Sequence, residues 1–353
     1  MEHYLSKIET PAFVVNESQT LKNISKFQSL CDEKGLTLRP HIKTHKTVRF
    51  AKAQVAAGAV GINCQKIGEA EVMADGGLDD ILITFNILGA SKLARLRALS
   101  ERVDLRVVAD NTLVIEGLSD AFADVPKPLK VLVECDTGAA RCGVQSPDEA
   151  VGLAIAINQS PGLEFEGFLT YPAVGGQQDV VDFMSSAKSA VESRGIACPT
   201  ISSGGSPDMW QADTDGIITE YRIGTYVYND RSLVARGTCE LNDCSGTVLA
   251  TVVSTPTNGR AVIDAGSKAL TSDLLGLDGH GYVIDHPDVS IVGLSEEHGV
   301  LSVGDGSNLS VGDRLRIIPN HVCVVANMFD QAWLEQENGK VIPLNTDARG
   351  RVV

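Results

Sequence analysis

Apolar runs broken by turn residues recur through residues 36–235 in a strand-then-helix order. The pattern predicts eight strands, at 36–43, 60–64, 81–85, 105–109, 131–134, 165–171, 200–203 and 221–228. Between them lie stretches of helical character, such as 179–194. After Ser146 the signals are explicit: Ser146 can cap, Pro147 opens the first turn, and Val151, Ala154 and Ile155 share a face. Eight strands with helical crossovers predict an α/β chain built on a (β/α)8 TIM-type barrel rather than an open sheet. Upstream, residues 18–33 carry Leu21, Ile24, Phe27 and Leu30 at intervals of three, which predicts an amphipathic helix ended by Gly35. Beyond Asp230 the texture changes to short Val/Ile/Thr runs at 246–253, 260–264 and 315–318, punctuated by Gly and Asn. A second, β-rich domain is expected there, with the strand 12–15 joining it. The organisation predicted is a barrel over 16–235 and a β-rich domain over 236–353 together with residues 1–15.

Composition narrows the function classes. The chain has 353 residues, 43% hydrophobic, enough for a large core, and a formal net charge of −15. Binding a polyanion draws on clustered Lys and Arg, so no nucleic-acid partner is expected. No window approaches the roughly 20 apolar residues of a membrane span, and residues 1–7 lack a charged segment followed by an apolar one. A soluble, cytoplasmic protein without a membrane partner is expected. Cysteines at 31, 64, 135, 142, 198, 239, 244 and 323 form no CxxC pair, and in that setting they read as reduced thiols.

Candidate chemistry begins at residues 39–46, Arg-Pro-His-Ile-Lys-Thr-His-Lys. In an extended segment Arg39, His41, Lys43 and His45 project to one side, and three cationic or cationisable neighbours push the Lys43 pKa down. A neutral amine able to attack a carbonyl results, as a Schiff-base lysine requires; a basic surface strand is the plain alternative. Barrels commonly bind phosphate at the loops after strands seven and eight. Here those loops read Ser203-Gly204-Gly205-Ser206 and Arg222-Ile223-Gly224-Thr225-Tyr226, where glycines admit close approach of N–H groups to an anion and hydroxyls add donors. A lysine after strand one and a phosphate cradle at strands seven and eight together describe a pyridoxal 5'-phosphate site.

At this point the chain resembles the D-threonine aldolase and D-serine dehydratase family of fold-type III pyridoxal phosphate enzymes, whose barrel is similar to that of alanine racemase. The resemblance rests on RPHIKTHKT (39–47), CQKIGEAEVMADGG (64–77), DTGAARCGV (136–144), SSGGSP (202–207), TEYRIGTYVYNDR (219–231), SEEHG (295–299) and PNHVCVVAN (319–327). It implies that Lys43 holds the cofactor as an imine and shuttles the Cα proton, with His41 beside it in the pocket. It also implies that Arg141 lies near the ring's phenolate oxygen and that Tyr171 borders the ring. Gln65 is another pocket residue on this view, or else a cap for the following helix. Arg222 either faces the pyridine nitrogen, as its counterpart does in alanine-racemase-like barrels, or pairs with Glu220 or Asp230. An arginine at that nitrogen would keep it unprotonated and the cofactor a weaker electron sink.

His321 and Cys323 alternate around Val322, so on a strand they share a face with one imidazole and one thiolate, a pair suited to zinc. A core cysteine beside a satisfied histidine is the alternative for a bare His-x-Cys. The resemblance implies instead a divalent metal, zinc first, held by these two residues with positions left open for the substrate's β-hydroxyl. The implied function is a pyridoxal phosphate- and metal-dependent lyase acting on D-β-hydroxy amino acids. Cys323 and the absence of histidine from residues 172–178 favour a dehydratase, of the D-serine or D-threo-3-hydroxyaspartate kind. Retro-aldol cleavage to glycine and an aldehyde is the alternative, followed by a D-amino-acid racemase and a non-catalytic cofactor-binding protein. A homodimer is also implied. Glu296, Glu297 and His298 occupy successive positions that face different ways, so they read as a loop between strands and not as ligands.

Overall fold

The computed structural model describes residue 5, residues 7–212 and residues 216–353. Of the 1–15 stretch assigned to the β-rich domain, residues 1–4 and 6 lie outside the described residues. The chain divides into two compact units that interleave along the sequence. One comprises residues 26–43, 48–224 and 351–353, and the other residues 1–25, 44–47 and 225–350. The sequence pattern alone places the joins at 15/16 and 235/236.

Strand β1 (Ala12–Asn16) belongs to the second unit. The first unit is built on β2 (Thr37–Leu38), β3 (Ile62–Cys64), β4 (Asp80–Ile83), β5 (Asp104–Ala109), β6 (Leu129–Cys135), β7 (Leu163–Thr170), β8 (Thr200–Ser203) and β9 (Glu220–Tyr221), all parallel. They pair in the order β2-β9-β8-β7-β6-β5-β4-β3. Isolated backbone bonds close the ring: Val60 N–H donates to Leu38 O (3.0 Å), Asn63 N–H to Pro40 O (2.8 Å) and Ile42 N–H to Asn63 O (2.9 Å). Helices follow the strands on the outside, so the (β/α)8 barrel expected from the pattern is present.

Strand one is shorter than expected. Pro40 has no N–H to give to a ladder, and residues 42–45 turn away directly afterwards. The alternation that would set Arg39, His41, Lys43 and His45 on one face therefore stops at His41. The eighth strand is shortened too, because residues 225–227 wind into a 3-10 turn in which Tyr228 N–H donates to Thr225 O at 3.1 Å.

Helix Glu17–Lys34 ends at Gly35, whose φ of +66° is the left-handed conformation that glycine adopts without strain. Its buried face is Thr20, Asn23, Ile24, Phe27, Gln28 and Cys31, while Leu21 is exposed. Intervals of three drift about 60° per step on a 3.6-residue helix, so Leu21 to Leu30 cannot share one face. Helix Pro147–Gln159 starts as expected, with Ser146 Oγ accepting from Glu149 N–H at 3.3 Å. Its buried face takes Ala150, Val151, Ala154 and Ile157, and Ile155 is only half-buried.

Ladder register sets the barrel interior. Leu82 pairs with Arg106, Val108 with Leu132, Glu134 with Leu169, Leu169 with Ser202, and Ser202 with Glu220, so these side chains share the inner face. Leu82, Val108, Leu132 and Leu169 form one apolar layer. Below it runs a chain of charges. Arg39 Nε donates to Glu220 Oε2 (2.7 Å) and Arg39 Nη1 to Asp80 Oδ1 (2.5 Å), which also accepts from Arg106 Nη1 (2.6 Å). Burial alone would lower the Arg39 pKa, but the carboxylates of Glu220 and Asp80 raise it above the ordinary arginine value.

The second unit is a nine-stranded sheet, adding β10 (Gly246–Thr257), β11 (Arg260–Ile263), β12 (Tyr282–Val283), β13 (Val289–Leu294), β14 (Gly299–Val303), β15 (Arg314–Ile318), β16 (Gln331–Glu335) and β17 (Val341–Asn345). Strand β10 pairs with β1 and β15 and again, past two register shifts, with β11. That second pairing closes β11-β14-β13-β12-β15-β10 into a ring, and β1 carries β16 and β17 alongside. Among the described residues no helix is long and apolar enough to cross a membrane.

Breaking a buried ion pair from one side strands its partner, at a cost of about 3–5 kcal/mol. Arg39→Met is therefore expected to lower unfolding free energy by that amount in urea titrations at neutral pH. A loss below about 1 kcal/mol would mean that Glu220 and Asp80 do not depend on Arg39.

Candidate active site

The barrel gathers the expected cofactor residues at the C-terminal ends of its strands. His41 and Lys43 follow β2, Gln65 follows β3, Arg141 lies in the loop after β6, Tyr171 follows β7, Ser203 ends β8 and Arg222 follows β9. Hydrogen bonds fix the His41 tautomer. Its Nδ1 accepts the Lys43 backbone N–H at 3.2 Å, so the ring proton sits on Nε2 and faces Gln65 Oε1 at 3.1 Å. Gln65 Nε2 passes the chain on to Thr84 O at 2.7 Å. The Gln65 side chain thus holds His41 and caps nothing. The next helix, Ile67–Asp75, is capped instead by Glu69, whose carboxylate accepts the N–H of the N-cap residue Lys66 at 3.3 Å and that of Gln65 at 2.8 Å.

Of the three cations expected around Lys43, Arg39 is neutralised by its two carboxylates, and His41 is neutral in this hydrogen-bonded state. His45 Nδ1 accepts the Thr47 N–H at 3.1 Å, from within the turn. Lys43 is therefore not one of a row of like charges on a strand.

Arg141 lies with its guanidinium carbon 4.6 Å from the centre of the Tyr171 ring and its Nη2 3.8 Å from Glu134 Oε1. Tyr171 packs toward Gly205, where an added Cβ would come within 3.4 Å of the ring. Gly204 has φ +132°, and a Cβ there would collide with Arg222 O at 2.5 Å, so only glycine fits. Among the described residues no backbone carbonyl accepts from the N–H groups of Gly204, Gly205 or Gly224. These amides, with the Ser203 hydroxyl, fit an anion such as the phosphate of pyridoxal phosphate.

Arg222 forms an ion pair with neither Glu220 nor Asp230. Its Nε donates to Ser202 Oγ (2.8 Å), Ser202 donates to Glu220 Oε1 (2.6 Å), and Arg222 Nη2 donates to Thr170 O. Burial pulls the Arg222 pKa down to about 10, against the pull of Glu220 and Glu134. Glu134 was not anticipated from sequence. It ends the apolar run Val131–Val133 as an ionisable residue at the functional end of a barrel strand, which is the signal that could have found it. Burial raises its pKa above the ordinary glutamate value, and Arg141 and Arg222 offset this only in part.

In the second unit the His-x-Cys motif starts a helix, where a strand had been expected. His321 is the N-cap of helix Val322–Met328, and Asp230 Oδ2 accepts the Val322 N–H at 3.1 Å. The two side chains still come close enough for each to shift the other's pKa, because the N-cap residue has extended backbone and Cys323 follows within the first turn. Asp273 Oδ2 lies 2.6 Å from His321 Nδ1, while the hydroxyls of Thr44 and Thr225 lie 3.1 and 3.4 Å from Cys323 Sγ. Pairing with Cys323, ahead of Asp273, lifts the His321 pKa to about 9 despite the penalty of burial. Burial acts to raise the Cys323 pKa, but the His321 contact outweighs it and the thiol lies below its ordinary value. One imidazole and one easily ionised thiol converge, a donor set that fits a borderline-soft divalent metal. Among the described residues no group of three or more His, Cys, Asp or Glu is placed to hold a metal, so these two donors stand by themselves. Thr225, expected in the phosphate cradle, thus also faces Cys323, and Tyr226 is buried in the same unit. Glu296 and Glu297 sit between β13 and β14 and both pair with Lys268, at 2.9 and 2.8 Å.

Comparison with known proteins agrees with both halves of this arrangement. Residues 15–232 match the alanine racemase N-terminal domain, and residues 245–334 match a putative serine dehydratase domain. The D-threonine aldolase of Arthrobacter sp. is 31% identical, covering 92% of this chain and 89% of the relative. The D-threo-3-hydroxyaspartate dehydratase of Delftia sp. strain HT23 is 30% identical, covering 93% and 94%. Among solved structures, D-threonine aldolase from Filomicrobium marinum superposes with a TM-score of 0.90 at 31% identity, covering 99% of this chain and 98% of that one. The chain belongs to the D-threonine aldolase and D-serine dehydratase family of fold-type III pyridoxal phosphate enzymes, and it is a lyase with the alanine racemase-like fold.

A carboxyl group whose folded pKa is raised contributes stability below its unfolded pKa and loses it as pH rises through the folded value. Glu134→Gln is therefore expected to gain stability relative to the parent, in the cofactor-free chain, as pH climbs from 4 to 7. Parallel stability curves for the two proteins across that range would show that Glu134 titrates normally.

Proposed function

We propose that this chain is a metal-dependent dehydratase of D-β-hydroxy amino acids, releasing ammonia and a keto acid, with a cofactor-binding barrel over residues 16–235 and a metal-binding β-rich domain over 236–353 with 1–15. The observation that carries the choice is the His321–Cys323 pair. It presents a thiol biased toward thiolate, where an aldolase-type motif would present a carboxylate. A second observation points the same way. Retro-aldol cleavage needs a base for the substrate hydroxyl, and both histidines within residues 16–235, His41 and His45, already have Nδ1 occupied by a backbone N–H. The segment after Tyr171 offers none.

Bound in the barrel, pyridoxal phosphate supplies an electron sink for the carbanion formed at Cα. Lys43 anchors it and moves the Cα proton at Nζ. The amides of Gly204, Gly205 and Gly224 and the Ser203 hydroxyl hold the phosphate, with Thr225 and Tyr226 continuing the same segment. Tyr171 and Arg141 would border the ring, His41 and Gln65 hold the segment that leads into Lys43, and Arg222, held by Ser202 and Thr170, would contribute its guanidinium to the same pocket. A divalent metal on His321 and Cys323, zinc by its affinity for thiolate, supplies Lewis acidity that turns a hydroxyl into a better leaving group. A variant of a D-threo-3-hydroxyaspartate dehydratase with one cysteine replaced by alanine has been described in a metal-free form, which supports a cysteine ligand here.

Borohydride reduction and peptide mapping are expected to place the pyridoxyl group on Lys43; a label on Lys46 or Lys66 would refute the anchor. With D-serine, D-threonine and D-threo-3-hydroxyaspartate as substrates, the parent is expected to give keto acid and ammonia. His321→Ala or Cys323→Ala should lose at least 100-fold in rate (a magnitude of about 2.7 kcal/mol) with cofactor absorbance intact. Glycine and an aldehyde among the products would establish aldol cleavage instead, and activity that survives chelation and both substitutions would remove the metal.

We also propose a cytoplasmic homodimer. All eight cysteines are free thiols, which suits a reducing compartment, and symmetric pairing is the commonest assembly. Light scattering should give twice the chain mass and fractionation a cytoplasmic protein; an active monomer would contradict the first and a membrane or secreted pool the second.

A further inference from the structure

The His321 ring is held from outside its helix by one carboxylate, since Asp273 Oδ2 lies 2.6 Å from Nδ1. Asp273 is itself fastened to the residue preceding His321. Asn320 Nδ2 donates to Asp273 O (3.1 Å) and to Gly279 O (2.8 Å), so one side chain ties two points of the 273–279 loop. Asn320 Oδ1 in turn accepts from Arg231 Nη1 (3.0 Å), which also donates to Asp278 O (2.7 Å). Asp273 N–H donates to Thr271 Oγ1 at 3.3 Å, at a residue with φ +63°. A surface ion pair needs no such framework, because exposed pairs contribute little to stability. The framework fixes the Asp273 backbone, from which the carboxylate reaches the imidazole.

Resting on the reading of His321 and Cys323 as metal ligands, we propose that Asp273 is the positioning residue of that site. By accepting from Nδ1–H it selects the tautomer with its lone pair on Nε2 and sets the ring plane, so that Nε2 is the nitrogen offered beside Cys323 Sγ. The two arms are held separately. The sulfur has its own neighbours in Thr44 and Thr225, so removing Asp273 loosens the imidazole arm alone.

The test uses the full chain, freed of metal and titrated with cobalt(II) and zinc(II) in competition with a chelator. Affinity reports both arms, and the thiolate-to-cobalt charge-transfer band reports Cys323. Asp273→Ala is expected to weaken binding by about 10–100-fold, the usual effect of losing the partner of a metal-binding histidine, with the band still reached at saturation. Asp273→Asn keeps an acceptor and should fall between parent and Asp273→Ala, with a parent-like melting profile that excludes unfolding as the cause. Parent-like affinity in both Asp273 variants, alongside a loss in His321→Ala, overturns the proposal and leaves the metal reading standing. Parent-like affinity in His321→Ala and Cys323→Ala overturns the metal reading, and this proposal with it.

Discussion

A guanidinium buried inside the barrel holds the first unit together. Arg39 reaches Glu220 with one nitrogen and Asp80 with another, joining the first strand to the last and to the third while it is almost entirely out of water. Taking these charges out of water costs several kcal/mol per ion, and each is offset only because its partners are in place. Glu220 could not stay ionised without this: burial acts to raise its pKa, yet Arg39 and Ser202 bring it below the ordinary glutamate value. Ser202 then carries the order upward to Arg222. The orientation of a residue at the functional end of the barrel is thereby fixed by charges deep within it.

The second unit solves a similar problem with a single carboxylate. Asp230 caps its own short helix through Leu233 N–H and Ser232, and with its other oxygen it accepts the first N–H of the helix that follows His321. Burial raises its pKa, and three donors oppose that rise. The motif Asn-Asp-Arg at 229–231 is therefore structural in service of the His-x-Cys pair. Its middle residue aims the helix, and its last residue braces the Asp273 loop.

Much of this was legible in the sequence, and the failures share a cause. Apolar periodicity located the eight barrel strands because each must face both the interior and the helices, and the loops after strands seven and eight followed from the barrel itself. Where polar residues form a network, pattern reading misjudged local geometry. Arg39, His41, Lys43 and His45 looked like one face of a strand, but Pro40 and the turn at 42–45 break the alternation, and Arg39 is committed to carboxylates distant in sequence. His321 and Cys323 were paired for a strand, whereas an N-cap followed by a helical turn brings them together equally well. Glu134 and Asp273 went unread because a single acidic residue has no period; only contacts reveal what it faces.

Strand one has a further consequence, for the order in which the chain takes shape. Strands β3 to β8 each pair with the strand next to them in sequence, so their contacts close short loops. The strand before Lys43 bonds to nearby Val60 and Asn63 on one side, but on the other it joins Thr219, Tyr221 and Ile223, with the Arg39–Glu220 contact spanning 181 positions. Closing so long a loop carries the largest entropic cost in the barrel and is compensated only once the other strands already present their edge. A ribosome must therefore have released residue 223 before the ring can shut. Lys43, among the first barrel residues to be made, belongs to the last seam to be sewn.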